Sequence, residues 1–452
     1  MYLTEAQEKK WAEIVEHEDY AKINDPYRKA VTTVLLENTA KALDEEHRQN
    51  MVMSGRAHML MEGSAPTNSV GAGGVTNYDP ILMSMLRRSL PNLIAYDLCG
   101  VQPMTGPTGM IFAMRSRYVS MSGTEALFNE ANTAFSGTTY AGANGYVSGS
   151  VTNTNPTLDF TDSTTYGVGS GMTTANGETL GSDSNNRFAE MAFSIEKVTA
   201  TARERALKGQ YSLELAQDLK AIHGLDAEVE LANILSTEML AELNREIIRT
   251  IYRSATLGAS YGTATAGTFD LDVDANGRWS GEKFKGMYFH FERERGVIAR
   301  ATRRGRGNLA IVSSDIAAAL AMTGALDYTP AIQNNLTYDD TGNTFAGTTK
   351  SGLKVYIDPY YGGQTTGYEL ACFGYKGSSA WDAGLFYCPY VPLQMLRAVD
   401  ASTFQPVIGY KTRYAMVANP FATTAADGVV GERNTAANAN IYYRILKVKN
   451  LL

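Results

Sequence analysis

The stretch from Met191 to Tyr252 is the longest run of regular apolar periodicity in the chain, and it reads as two amphipathic helices joined by a short break. Ile195, Val198, Ala202 and Ala206 lie at i+3/i+4 spacing. Leu207, Tyr211, Leu215, Leu219 and Ile222 continue a stripe. His223-Gly224-Leu225-Asp226 then supplies a glycine stop and an aspartate start. The second helix carries Val229, Ala232, Met239, Leu243, Ile247 and Ile251 on one face. A helix of about thirty residues spans about 45 Å, longer than most globular helices. The reading predicts an extended body built along these helices.

At 452 residues the chain has enough surface to bury two or three cores. A formal net charge of −7 argues against a whole-surface nucleic-acid footprint. Cys99, Cys372 and Cys388 are sparse, odd in number and without a CxxC pair, which predicts free thiols in a reducing compartment. No apolar segment resembles a signal peptide or a membrane span, so a soluble intracellular product without membrane contact is expected.

Residues 1–62 are charged and nearly free of glycine. Thr4-Glu5-Ala6-Gln7 has capping-box spacing, and Asp25-Pro26 places an N-cap before a first-turn proline. The segment reads as an amphipathic helical arm whose apolar face needs a partner. Its three histidines, His17, His47 and His58, are not at ligand spacing. At Glu62 the composition changes to a Gly/Ser-rich stretch through Gly74. The residues alone allow either a protease-accessible junction or an uncleaved linker. Asp79-Pro80 opens a further helix, to Ser89. Beyond it, Arg87 to Pro103 reads as extended, and a Pro/Gly turn leads to a strand around Ile111 and Ala113.

The run Arg87-Arg88-Ser89-Leu90-Pro91-Asn92-Leu93-Ile94-Ala95-Tyr96-Asp97-Leu98-Cys99-Gly100-Val101-Gln102-Pro103, continued by Met104 to Tyr118, resembles the major capsid protein family of T-even-type tailed phages. So do Gly123 to Asn132, Tyr211 to Gly224, Leu243-Asn244-Arg245-Glu246-Ile247, Lys354-Val355-Tyr356-Ile357-Asp358, Asp382-Ala383-Gly384 and Phe404 to Tyr414. The resemblance runs in order from about Pro80 to Phe421.

It implies an α+β tailed-phage major-capsid fold. Its parts would be a helical propeptide (1–62), an N-arm (63–100), an extended loop with a short Gly/Ser/Thr-rich insertion (101–190), a peripheral domain with the spine helix (191–255), an axial domain (256–395), and a return to the peripheral domain with C-terminal strands (396–452). It implies a non-enzymatic subunit of hexameric capsomers in an icosahedral head around double-stranded DNA. A vertex protein, portal, scaffold and prohead protease would be partners, and no cofactor is implied. Such proteases favour Leu/Ile-x-Glu, so Leu60-Met61-Glu62 would place the cut between Glu62 and Gly63. Leu35-Leu36-Glu37, Leu43-Asp44-Glu45 and Leu240-Ala241-Glu242 also fit, but only Glu62 sits at the composition switch. A pentameric vertex paralogue and a bacterial nanocompartment shell protein are the alternatives of the same fold. A β-rich adhesin would leave the long helices and the missing secretion signal unexplained.

Other motifs are weaker. Asp270, Asp272 and Asp274 with Gly277 have the start of a calcium loop, but Lys283 stands where the bidentate glutamate belongs, so a turn is expected. Gly167-Val168-Gly169-Ser170-Gly171 lacks the basic residue of a phosphate loop. Arg293, Arg295, Arg300, Arg303, Arg304 and Arg306 form the dense basic cluster, suited to inter-subunit ion pairs or to DNA phosphates. His223 is expected at a helix stop and His290 in an aromatic strand, both as packing residues. No nucleophile elbow or metal-ligand spacing is present.

Overall fold

The computed structural model describes residues 5–17, 23, 25–53, 87, 93–128, 131, 135–136, 171–182, 188–275, 279–327, 344–361, 367–400, 402–422 and 437–451. Glu62 and Gly63, the Gly/Ser-rich stretch, the helix expected at Pro80–Ser89 (save Arg87) and most of the expected insertion lie outside these residues. Contacts divide the chain into two units, residues 1–111 with 198–452 and residues 112–197.

In the first unit the long helix is α6, Ala227–Ser254. The Asp226 side chain accepts from the Glu228 N–H at 3.0 Å, capping the orphan donors of the first turn. Gly224, at φ +68°, makes the left-handed turn that precedes it. Ala232, Met239, Leu243, Ile247 and Ile251 are buried along one stripe, as the spacing predicts, and Leu235 joins them, whereas Val229, expected on the same face, is exposed.

The first predicted helix is corrected. Residues 191–210 are two strands, β3 (Met191–Thr201) and β4 (Arg203–Gln210), and only Leu213–Ile222 is helical, as α5. The long helix of this region is therefore α6 alone. The helix-favouring Ala, Arg, Glu and Leu of β4 yield to tertiary pairing, because residues 203–210 form an unbroken antiparallel ladder with β13 (Pro406–Ala418).

Strand β13 also pairs with β12 (Leu385–Val399), and β12 runs parallel to β1 (Gly100–Val101), giving a four-stranded sheet in the order β1-β12-β13-β4. A register shift between Pro389 and Val391 leaves Tyr390 outside the ladder as a bulge. At Gly100 a side chain would meet the Ala380 carbonyl at 2.5 Å, so the close passage of β1 requires glycine.

A second sheet has the order β5-β14-β11-β7-β10-β9-β8 among the described residues. Its strands are β5 (Ala255–Leu257), β7 (Leu309–Val312), β8 (Leu326–Asp327), β9 (Thr344–Thr349), β10 (Lys354–Ile357), β11 (Tyr368–Gly374) and β14 (Asn440–Lys449). A short β6 (Thr268–Asp270) pairs with β14. Helices α7 (Ser280–Thr302) and α8 (Ser314–Met322) share its core, where Phe291 lies 4.9 Å from Phe373 between ring centroids. His290 belongs to α7, not to a strand. It is buried and stacks on Phe269 at 4.8 Å.

The N-terminal arm is helical where described: α1 is Glu5–Val15 and α2 is Pro26–Met53, opened by Asp25, whose carboxylate accepts from the Tyr27 N–H at 2.9 Å. Trp11, Val15, Val31, Leu35 and Leu36 are buried in the same core as the short helix α3 (Ala95–Leu98), α6 and β12. The apolar face that called for a partner finds it within the chain.

The second unit holds the two-stranded sheet of β2 (Thr108–Tyr118) and β3, whose distal residues belong to it, and a short helix α4 (Thr174–Glu178).

Candidate assembly surface

The β2–β3 sheet has two unlike faces, because strand side chains alternate. One face is a charged lattice. Arg115 reaches Glu125 at 3.3 Å and Glu196 at 3.1 Å, and Arg117 donates to Ser194 Oγ at 2.8 Å and to the Gly123 carbonyl at 2.9 Å. The other face carries Phe112, Met114, Met191, Phe193 and Ile195, exposed by 53–67%. Single exposed apolar residues are ordinary, but five on one short sheet form a contiguous patch of the kind that marks an interaction surface. The signal was present in the sequence as the alternations Phe112-x-Met114 and Met191-x-Phe193-x-Ile195; a helical reading of residue 191 onward hides it.

Helix α5 is a second such element. Ser212 caps it by accepting from the Leu215 N–H at 3.2 Å, yet none of its residues is buried. Leu213, Leu215 and Ile222 are each at least half exposed. Of the predicted stripe only Leu215, Leu219 and Ile222 lie on a helix, with Leu207 on β4 and Tyr211 ahead of α5; Leu215 and Ile222 are exposed, so Leu215 does not hold the subunit's core.

Along α6 the polar side forms a bench of ion pairs. Arg205 on β4 donates to Glu242 at 2.8 Å and to Glu246 at 2.6 Å, with Tyr414 bridging to the same Glu246. Burial works against the guanidinium charge, but hydrogen bonds to Tyr414 and Glu246 outweigh it and hold its pKa above the ordinary value. Between those two glutamates, Arg245 donates to both oxygens of buried Asp358, at 2.7 and 2.8 Å, and Tyr252 donates to it at 3.0 Å. Burial first, and Asp358 second, keep the Tyr252 phenol protonated and so a donor. The bench edges a cleft of about 450 Å³, also lined by Arg249 and Arg253. The pairs fasten α6 to the two sheets.

The arginine cluster separates into roles. Arg295 is buried and donates to the Gly307 carbonyl at 2.5 Å, to Ser351 Oγ at 2.7 Å and to Glu292, an intramolecular clamp between α7 and the loops after it and after β9. Arg306 pairs with Glu292 at 3.2 Å, and Arg304 stands 3.9 Å from Asp382. Arg303 ends α7 in the left-handed conformation, at φ +55°. Arg293, Arg300, Arg303, Arg304 and Arg306 are exposed.

The aspartate-rich turn satisfies itself. Asp274 accepts from the N–H groups of Ala264 and Asp270, both at 2.9 Å; Asp270 accepts from Asp272 N–H at 2.9 Å; Lys283 pairs with Asp272 at 2.5 Å. The lysine thus occupies the position a cation would need. Among the described residues no cluster of His, Cys, Asp or Glu is arranged to hold a metal ion. Cys99, Cys372 and Cys388 are buried free thiols; burial pushes the Cys99 and Cys388 pKa values up to about 12, so they are unreactive packing groups. No described helix is long and apolar enough to cross a membrane.

A family model described as "Major capsid protein Gp23" matches residues 75–448. The chain is 37% identical to the major capsid protein of Vibrio phage KVP40, over all of both chains. It is 33% identical to that of Enterobacteria phage T4, over 98% of each. The capsid vertex protein of phage T4 is 28% identical over 54% of this chain and 56% of its own length. Among solved structures, the capsid of Myoviridae phage XM1 aligns with 79% of this chain and 92% of its own at 9% identity and a TM-score of 0.38.

Proposed function

Because this chain belongs to the Gp23 family of major capsid proteins, the structural shell subunits of tailed phages, we propose that it assembles through its exposed apolar β2–β3 face into hexameric capsomers of an icosahedral head enclosing double-stranded DNA. The observation that carries this reading is that face, with five large apolar side chains left in water by the single chain. Burying apolar surface at about 25 cal/mol per Å² on a neighbouring copy, repeated by symmetry, turns a modest contact into a closed shell. Negative-stain microscopy of the expressed chain tests it. The parent sequence forms capsomers or shells, and Phe112→Asp with Phe193→Asp gives a folded monomer; unchanged assembly by that variant defeats the reading.

The division of labour follows the same reading. Residues 101–190 form the extended loop, 191–255 and 396–452 the peripheral domain, and 256–395 the axial domain. Residues 1–62 are a propeptide cut between Glu62 and Gly63, which leaves 63–100 as an N-arm. Intact mass of subunits from mature particles decides this: a chain still beginning at Met1 removes the proposal. The exposed Arg293, Arg300, Arg303 and Arg304 pair with carboxylates of a neighbouring subunit, since the planar guanidinium fork suits such contacts; Arg304 is held only loosely at 3.9 Å from Asp382, whereas Arg306 is already engaged by Glu292 of its own chain. Charge reversal of Arg303 and Arg304 then stops assembly, whereas normal shells with defective packaging favour a DNA contact. A vertex protein, portal, scaffold and prohead protease complete the set of partners, and assembly takes place in the host cytoplasm. End-to-end similarity to major capsid proteins, against about half-length similarity to a vertex protein, favours the hexamer role over the pentamer.

A further inference from the structure

The N-terminal helices are not an appendage on this subunit. Helix α2 lies against β12, and Trp11, Leu35 and Leu36 are at most 1% exposed in the main core. The polar contacts are just as integrated. Asn38 is buried, and its amide donates to the Met104 carbonyl at 2.8 Å and to the Tyr390 carbonyl at 3.1 Å. Tyr390 lies at the first of two register shifts in β12, so Asn38 supplies a donor where the ladder is interrupted. Tyr27 donates to the Val101 carbonyl on β1, and Arg28 pairs with Asp97 at 2.7 Å while lying over the Tyr96 ring. Burial holds the Tyr27 phenol at about 12, which keeps it a donor. Lys10 and the Trp11 indole both donate to Glu37, tying α1 to α2 at 3.0 and 2.9 Å.

We infer that α1 and α2 are an internal strap whose seat is the groove of β1, α3 and the β12 bulge, and that cutting the chain after it leaves the strap bound. The covalent link at residue 62 contributes none of these contacts. Loss of the strap would leave the carbonyls of Val101, Met104 and Tyr390 without their donors and uncover the apolar wall behind them, so departure requires the body to rearrange at β1 and β12. Proteolysis is then permissive, and the release step belongs to a later conformational change of the subunit. This rests on the reading of residues 1–62 as removable, but it makes a claim of its own about the cut product.

A site-specific protease sequence replacing residues 64–70 of the full chain tests the inference without the phage protease. After folding and complete cutting, the two pieces co-elute on size exclusion at micromolar concentration. Hydrogen exchange at Val31 to Thr39 stays at least tenfold slower than in an isolated 1–62 peptide. Asn38→Asp, which turns a carboxylate towards two carbonyl oxygens, speeds separation of the cut pieces by tenfold or more. Separation of the parent pieces on the first column pass overturns the inference, as does exchange equal to that of the free peptide. Equal retention of the Asn38→Asp variant overturns the assigned anchor. None of these outcomes depends on where the natural protease cuts, so a subunit mass that still begins at Met1 would sink the cleavage reading and leave the strap measurable.

Discussion

The N-terminal strap and the β2–β3 sheet are both amphipathic, and they end up in opposite states. The strap hides Trp11, Leu35 and Leu36 inside the subunit, while the sheet leaves Phe112, Phe193 and Ile195 in solvent. The strap's polar groups are also answered by the body, through Asn38, Tyr27 and Arg28. The sheet answers its own polar side with the Arg115–Glu196 lattice, and among the described residues its apolar side stays exposed. The same binary patterning therefore serves folding in one place and association in the other. What separates them is whether a groove with matching acceptors exists on the same chain.

Substitutions break the comparison most sharply where the two predictions diverge. Trp11→Ala in the strap destabilises the subunit by about 3–5 kcal/mol in urea unfolding, the usual cost of a large core deletion. Phe193→Ala changes subunit stability by only about 0.5 kcal/mol while reducing particle yield. Equal effects on unfolding would erase the distinction. Within the arginine cluster, Arg295→Ala costs about 3–5 kcal/mol, because it removes the charge that Glu292 and the Gly307 carbonyl are built around, whereas Arg300→Ala is near neutral for unfolding. Leu215→Asp on α5 shifts the unfolding free energy by less than about 1 kcal/mol and shows its effect in assembly. A cooperative collapse of that variant would restore a core role for the stripe.

The smallest expected effect is on pH. Burial holds the His290 pKa below its ordinary value, opposed by Glu294 at 3.6 Å and Asp274 and aided by Arg293 and Arg444. The unfolded chain then binds the proton more readily than the folded one, so stability is fully present above the unfolded imidazole value of about 6.5 and falls as pH drops below it. His290→Phe, which keeps the stacking on Phe269, flattens that part of the profile in thermal melts at pH 5–8. An unchanged slope assigns the acid sensitivity elsewhere.

Legibility varied from element to element. Helix α6 and its Asp226 cap followed their sequence signals, because local spacing and the cap agree with the tertiary outcome. Residues 191–210 did not. Ile195, Val198, Ala202 and Ala206 satisfy helical spacing, while Met191, Phe193 and Ile195 equally satisfy alternation, and pairing with β2 and β13 decided between them. His290 fell the other way, because an aromatic run reads as a strand until its α7 neighbours Met287, Phe291 and Ile298 are seen to face one core. Among the arginines, composition located the cluster but could not tell buried Arg295 from its exposed neighbours, since that depends on where the Gly307 carbonyl and Ser351 return in space.

By itself the sequence determined the family, the charged helical arm, the glycine-rich junction after Glu62 and the long helix ahead of the C-terminal strands, because each is written in local composition or in quoted runs of residues. Only the tertiary structure decided which apolar faces are spent inside the subunit. That choice is made by contacts hundreds of residues apart, such as Asn38 with Tyr390, and hydrophobic burial is non-directional until such partners fix it. The arm is thus written in the first sixty residues, but its seat is written in β1 and the β12 bulge.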